Sequence, residues 1–100
     1  MIHARAVAVA ADHPAFAGHF PGRPILPGVV LLGWAVDTLG EALGGPLPKC
    51  EIASAKFLRP VGPGAKLSIR LAGEPRGPWR FDILDGTATV ATGSLRTAST

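Results

Sequence analysis

The chain has 100 residues, 47% hydrophobic and 17% charged, with a net charge of +3 at pH 7. That length suits one domain, read here over residues 1–100. So high an apolar fraction in so short a chain points to apolar surface hidden against another subunit. The ten basic residues are scattered, without a basic block or interleaved aromatics, which argues against a nucleic-acid partner.

A helix that crosses a membrane needs a run of about 18 apolar residues, and none is present. Arg5 interrupts the apolar N-terminus, which therefore does not read as a signal peptide. The expected location is the cytoplasm. Cys50 is the only cysteine and has no partner for a disulfide or a thiolate metal site, so it reads as a small, partly buried apolar residue. No metal site and no cofactor is expected.

In chain order, residues 2–10 place Val7 and Val9 on one face and predict a short strand that ends at Asp12-His13-Pro14. Residues 13–28 hold four prolines and three glycines, a density that forbids regular structure. The segment also carries Phe16, Phe20, Ile25 and Leu26, so it is a stiff apolar loop that must pack on something, unlike a polar linker. His13 at its entrance reads as structural.

Residues 29–43 predict a helix that is apolar nearly all round for two turns and hence buried on most sides. Gly44-Gly45-Pro46 stops it. Gly33 and Gly40 inside it each cost about 1 kcal/mol against alanine, which suggests close packing or room for a ligand. Strands follow over 52–60, 66–71, 79–84 and 87–95. Asp85-Gly86 is a hairpin signal, and the tail from Thr97 is expected to fray. A strand, a stiff loop, a buried helix and about four antiparallel strands imply an α+β layer fold with the sheet wrapped around the helix. Two such sheets joined edge to edge would cover exposed edges.

Two positions carry candidate chemistry. His19 lies between Gly18 and Phe20-Pro21-Gly22, where rigid backbone suits a proton-transfer group working near neutrality. Gly28 follows Pro27 at the helix start, where unpaired backbone N–H groups favour developing negative charge, as an oxyanion hole does. A plain helix start is the simpler reading of Gly28 taken alone.

The run Phe16-Ala17-Gly18-His19-Phe20-Pro21-Gly22-Arg23-Pro24-Ile25-Leu26-Pro27-Gly28-Val29 resembles the signature of the hot-dog β-hydroxyacyl-acyl-carrier-protein dehydratases of fatty-acid synthesis. Lys56-Phe57-Leu58-Arg59-Pro60-Val61-Gly62-Pro63-Gly64 resembles a second block of that family. The resemblance covers about residues 7 to 71. Leu32-Gly33-Trp34-Ala35 is similar to a smaller dehydratase-like branch linked to aryl-polyene synthesis.

The resemblance implies a hot-dog fold and a homodimer, or higher oligomer, with active sites at its interface. It implies an acyl carrier protein or coenzyme A thioester as partner. His19 would remove the α-proton or pass protons, and the Gly28 N–H would bind the thioester oxygen. Phe20, Pro27, Gly33, Trp34 and Phe57 are the expected substrate-binding positions.

The family's acidic residue on the central helix falls at position 33, where this chain has Gly33. Asp37, one turn on and on the same face, either takes over that role or is a solvated helix residue. The expected activity is dehydration of 3-hydroxyacyl thioesters. The alternatives are an acid-deficient subunit that binds acyl thioesters or pairs with a catalytic partner, and a hot-dog thioesterase.

Overall fold

The computed structural model describes residues 2–16, 25–45, 49–74 and 77–97. Their order is β1 (Ile2–Ala8), a 3₁₀ turn (Pro14–Phe16), α1 (Gly28–Ala42), β2 (Cys50–Phe57), β3 (Lys66–Gly73), β4 (Trp79–Asp85) and β5 (Ala88–Thr97). The strands form one antiparallel sheet in the order β1-β3-β4-β5-β2. The chain thus leaves β1 for α1, crosses to the far edge as β2, and then fills the middle with β3, β4 and β5.

Alternation decides the faces. Leu67, Ile69 and Leu71 of β3 and Trp79, Phe81 and Ile83 of β4 are buried, whereas Arg70 and Arg80 between them are exposed. The buried rows meet Leu31, Ala35 and Leu39 of α1, spaced at helical period, and this is the core. Thr38 is buried among them and donates its hydroxyl to the Trp34 carbonyl at 2.7 Å.

The helix stops where the glycines require it. Gly44 has φ +89, and Gly45 N–H returns to Gly40 O at 2.9 Å while Gly44 N–H reaches Glu41 O at 3.2 Å. Pro46 lies outside the described residues. Between β4 and β5 the turn is offset from the Asp-Gly reading. Asp85 still pairs with Ala88, so the loop residues are Gly86, at φ +62, and Thr87. Of the tail expected to fray, Thr97 pairs with Cys50 as the end of β5, and 98–100 lie outside the described residues.

Helix burial also differs from the expectation. α1 packs over β3, β1 and β4 on one side only. Val29, Gly33, Asp37 and Glu41, four residues apart, form an exposed stripe on the other side, with Val29 73% exposed. Nothing in this chain covers that stripe among the described residues. β2, at the sheet edge, is exposed from Glu51 onward on both faces.

Candidate active site

The start of α1 is set by Pro27, which takes φ -60 and ψ 142 and provides no side-chain cap. Its carbonyl accepts from Val30 N–H at 3.0 Å. The segment before it is tied to the sheet by Leu26 N–H to Val61 O at 2.8 Å. These constraints place Gly28, at the first turn of α1, against the end of β2.

Phe57 lies over Gly28 so closely that a Cβ on Gly28 would meet Cζ and Cε1 of the ring at 2.7 and 2.8 Å. Only glycine permits this approach of ring to backbone. Around it Ile25, Leu26, Pro27, Gly28, Val29, Phe57, Leu58 and Arg59 border a groove of about 560 Å³. Its walls are largely apolar, with Arg59 the one charged residue among them. Such a groove suits an acyl chain with a polar head, held at a helix N-terminus.

Three sequence-predicted positions therefore come together, namely Pro27, Gly28 and Phe57. His19 and Phe20 lie outside the described residues. Gly33 is exposed, with nothing within 4 Å of the place a Cβ would occupy.

Trp34 is half-buried and does not border this groove. Its indole packs edge-on against His13, with ring centres 6.0 Å apart, and His13 meets Phe16 in the same way at 6.3 Å. His13 Nδ1 accepts from Ala15 N–H at 3.0 Å, so His13 holds the entry to the Gly/Pro loop in the structural role expected of it.

Asp37 is exposed and borders a second groove, between α1 and β1, with His3, Arg5, Gly40 and Glu41. There Arg5 Nε stands 3.2 Å from Glu41 and His3 Nε2 3.9 Å from it. Nine residues of helix put Asp37 about 13 Å from Gly28 along the axis. Within one chain Asp37 and Gly28 thus serve different surfaces. Burial pushes the Cys50 thiol up from its ordinary range, which disfavours a thiolate nucleophile there.

Val29 and Leu58 were not expected in the site. Their signal was present: both are large apolar residues beside the motif blocks, and both are exposed in the folded chain.

A five-stranded antiparallel sheet folded around one long helix, with a glycine-started helix facing the outer strand, defines a hot-dog protein. Residues 3–94 match the family model described as ApeI-like, ApeI dehydratase, and the chain belongs to that family. It is 42% identical to the 3-hydroxyacyl-(acyl-carrier-protein) dehydratase FabZ of Gluconacetobacter diazotrophicus over 84 residues, which span 73% of this chain and 52% of that one. The chain spans about half the length of that relative.

Among solved structures, the ApeI:P dehydratase heterocomplex of Xenorhabdus doucetiae superposes with a TM-score of 0.75 at 23% identity, over 97% of this chain and 88% of that one. An uncharacterized protein from Erwinia carotovora superposes with a TM-score of 0.76 at 29% identity, over 97% of this chain and 82% of that one.

Proposed function

We propose that the chain dehydrates 3-hydroxyacyl thioesters borne on an acyl carrier protein, at a site shared between two copies of the chain. The apolar groove over Gly28, closed on one side by Phe57, is the observation that carries this reading. The acyl chain lies along Ile25, Leu26, Val29 and Leu58, and the thioester carbonyl points at the Gly28 N–H. Electron density that builds on that oxygen is stabilised by the first N–H groups of α1.

His19 takes the α-proton. The Cα–H pair becomes the new double bond as the Cβ–O bond breaks, and the hydroxyl leaves as water with a proton from an acid. In this reading the acid is Asp37 of the second copy, because Asp37 and Gly28 of one chain border different grooves while the stripe that carries Asp37 lies open. The family relation and the sequence likeness to FabZ support the reaction class.

The test is turnover of 3-hydroxybutyryl thioester to the enoyl product, followed by ultraviolet absorbance. His19→Ala is expected to lower kcat by about 10²–10⁴, the range for a general acid–base. Unchanged turnover in that variant would reject the reading.

A second reading is favoured by the open position at Gly33. Here the chain brings His19 and Gly28, and a different hot-dog subunit brings the carboxylate. The ApeI:P structure is itself a heterocomplex, which supports considering this arrangement. Copurification with a second hot-dog chain, together with turnover only in the mixed complex, distinguishes it from the homodimer.

A further inference from the structure

Among the described strand residues, positive charge gathers on one face of the sheet. Sheet register divides the strand residues between the face that packs on α1 and the outer face. On the outer face Ser54, Ser94, Arg80, Ala72 and Ile2 stand in one row across all five strands. Lys56, Thr92, Asp82, Arg70 and Ala4 form the next row, across all five strands. Lys66, Arg96 and Glu51 complete the charged positions of that face.

It therefore bears five cations, Lys56, Lys66, Arg70, Arg80 and Arg96, against two carboxylates, Glu51 and Asp82. The difference is +3, equal to the net charge of the whole chain. The other charged residues of the sequence balance, five against five.

Ser54 and Lys56 reach this face because of an irregularity. Register along β2 shifts between Ile52, opposite Leu95, and Ser54, opposite Ser94. Without the extra residue Ala53, Ser54 would share the face of Ile52. The bulge turns Ser54 outward, where its hydroxyl lies 2.9 Å from that of Ser94, and Lys56 follows it.

Arg80 to Asp82, at 3.5 Å, is the only ion pair on this face among the described residues, and all five cations are exposed. Ala4, Ala6, Ala8, Ala72, Ser68, Ser94 and Thr92 provide most of the remaining surface, with Leu84 half-buried and Ile2 exposed at the β1 edge, so the face is largely small-chained, with long basic arms rising from it.

We infer that this outer face docks an acidic protein, and that on the reading above this is the carrier that bears the acyl thioester. A second copy is disfavoured, since two +3 faces repel and Ile2, at the β1 edge, is the one large exposed apolar side chain on this face among the described residues. Nucleic acid is disfavoured by the two carboxylates inside the patch and by its lack of aromatic residues for stacking.

Four strand spacings by seven or eight residues give a face of about 480 Å². That is the size per partner of a weak, transient contact, as delivery of a substrate requires. Complementary charge on such a face raises the encounter rate and weakens with salt.

The inference rests on a carrier-borne substrate, and the experiment separates the two. Lys56→Glu/Arg70→Glu and Arg80→Glu are compared with wild type on 3-hydroxybutyryl-loaded acyl carrier protein and on 3-hydroxybutyryl N-acetylcysteamine. Binding of fluorescently labelled carrier is measured in parallel.

The double variant is expected to lose about tenfold or more in kcat/KM on the carrier substrate and to keep its rate on the small thioester. Wild-type binding should fall between about 50 and 300 mM salt, with a flatter dependence in the variants. Equal loss on both substrates, carrier binding indifferent to the reversals, or tighter binding to a short DNA duplex than to the carrier would overturn the docking inference. If wild type turns over neither thioester yet binds the carrier in a reversal-sensitive way, docking stands and the dehydratase reading falls.

Discussion

At Gly28 a single hydrogen separates a helix start from a collision. A methyl group there would stand 2.7 Å from the Phe57 ring, but the atoms it meets are the far end of a half-exposed side chain. The ring has room to swing, so the cost falls on the groove before it falls on the fold. Gly28→Ala is expected to change stability by less than about 1 kcal/mol, since better helix propensity offsets the repacking. It should raise KM for an acyl thioester several-fold as the ring is pushed into the groove. Thermal unfolding and steady-state kinetics on the same variant check both halves, and Gly28→Ala/Phe57→Leu should recover the KM.

Gly33 is the opposite case, because a side chain there meets nothing within 4 Å. In the mechanism proposed above, Asp37→Asn removes the acid and lowers turnover by about 10² or more. Adding Gly33→Glu to that variant puts a carboxylate one turn earlier on the same exposed stripe. Turnover should recover in part, and the melting temperature should rise by a few degrees as glycine leaves a helix interior. Unchanged turnover in the single Asp37→Asn variant would show that Asp37 is not the acid.

At the scale of the element, the pairing of β5 with β2 depends on Gly93. A Cβ there would overlap the Ser54 carbonyl oxygen and stand 2.7 Å from the Phe81 ring. Both obstacles are fixed, one as ladder backbone and the other as a fully buried core side chain. Nothing flexible is available to give way, in contrast to Gly28. Gly93→Ala should therefore destabilise by about 3 kcal/mol or more, at the upper end of single-residue effects. Denaturant unfolding at constant m measures it.

The same element shows what the sequence made legible. β3 and β4 were readable because Lys66 to Leu71 and Trp79 to Leu84 alternate without interruption, and one face of each packs on α1. The faces of β2 were not, because the shift beyond Ile52 reverses the alternation and burial does not mark either face.

The Asp-Gly signal located the β4–β5 turn but placed its centre one residue early, since pairing continues through Asp85. Of the site, Pro27, Gly28 and Phe57 were legible as motif positions and do meet. The partition of Asp37 and Gly28 between two grooves was not legible, because it depends on which side of α1 the sheet covers.

For the whole molecule the exposed large apolar side chains, Ile2 on β1 excepted, lie on one side. Val29, Ile52, Phe57 and Leu58 are 73, 42, 50 and 52% exposed, on the open stripe of α1, on β2 and just beyond its end. A strand at a sheet edge with unpaired backbone groups, beside exposed large apolar side chains, is a surface that water does not stabilise.

The outer face, by contrast, is basic and mostly small-chained, with Ile2 alone as a large exposed apolar residue among the described ones, so it does not compete for this role. A second hot-dog chain that adds its own β2 to this edge would extend the sheet and bring its stripe over the uncovered side. The apolar residues would then be buried together, and an Asp37 would be carried toward a foreign Gly28.

If that is the arrangement, Val29→Asp should convert the dimer to monomer in sedimentation at micromolar concentration, because a charge buried without a partner costs several kcal/mol. The monomer should remain folded, since Val29 is not part of the core. It should lose dehydratase turnover together with dimerisation. Its turnover should return on mixing with a Gly28-intact, Asp37-intact partner whose own interface can accommodate the aspartate, such as a chain carrying Val29→Lys. A Val29→Asp variant that stays dimeric with normal rates would place the subunit contact on another surface.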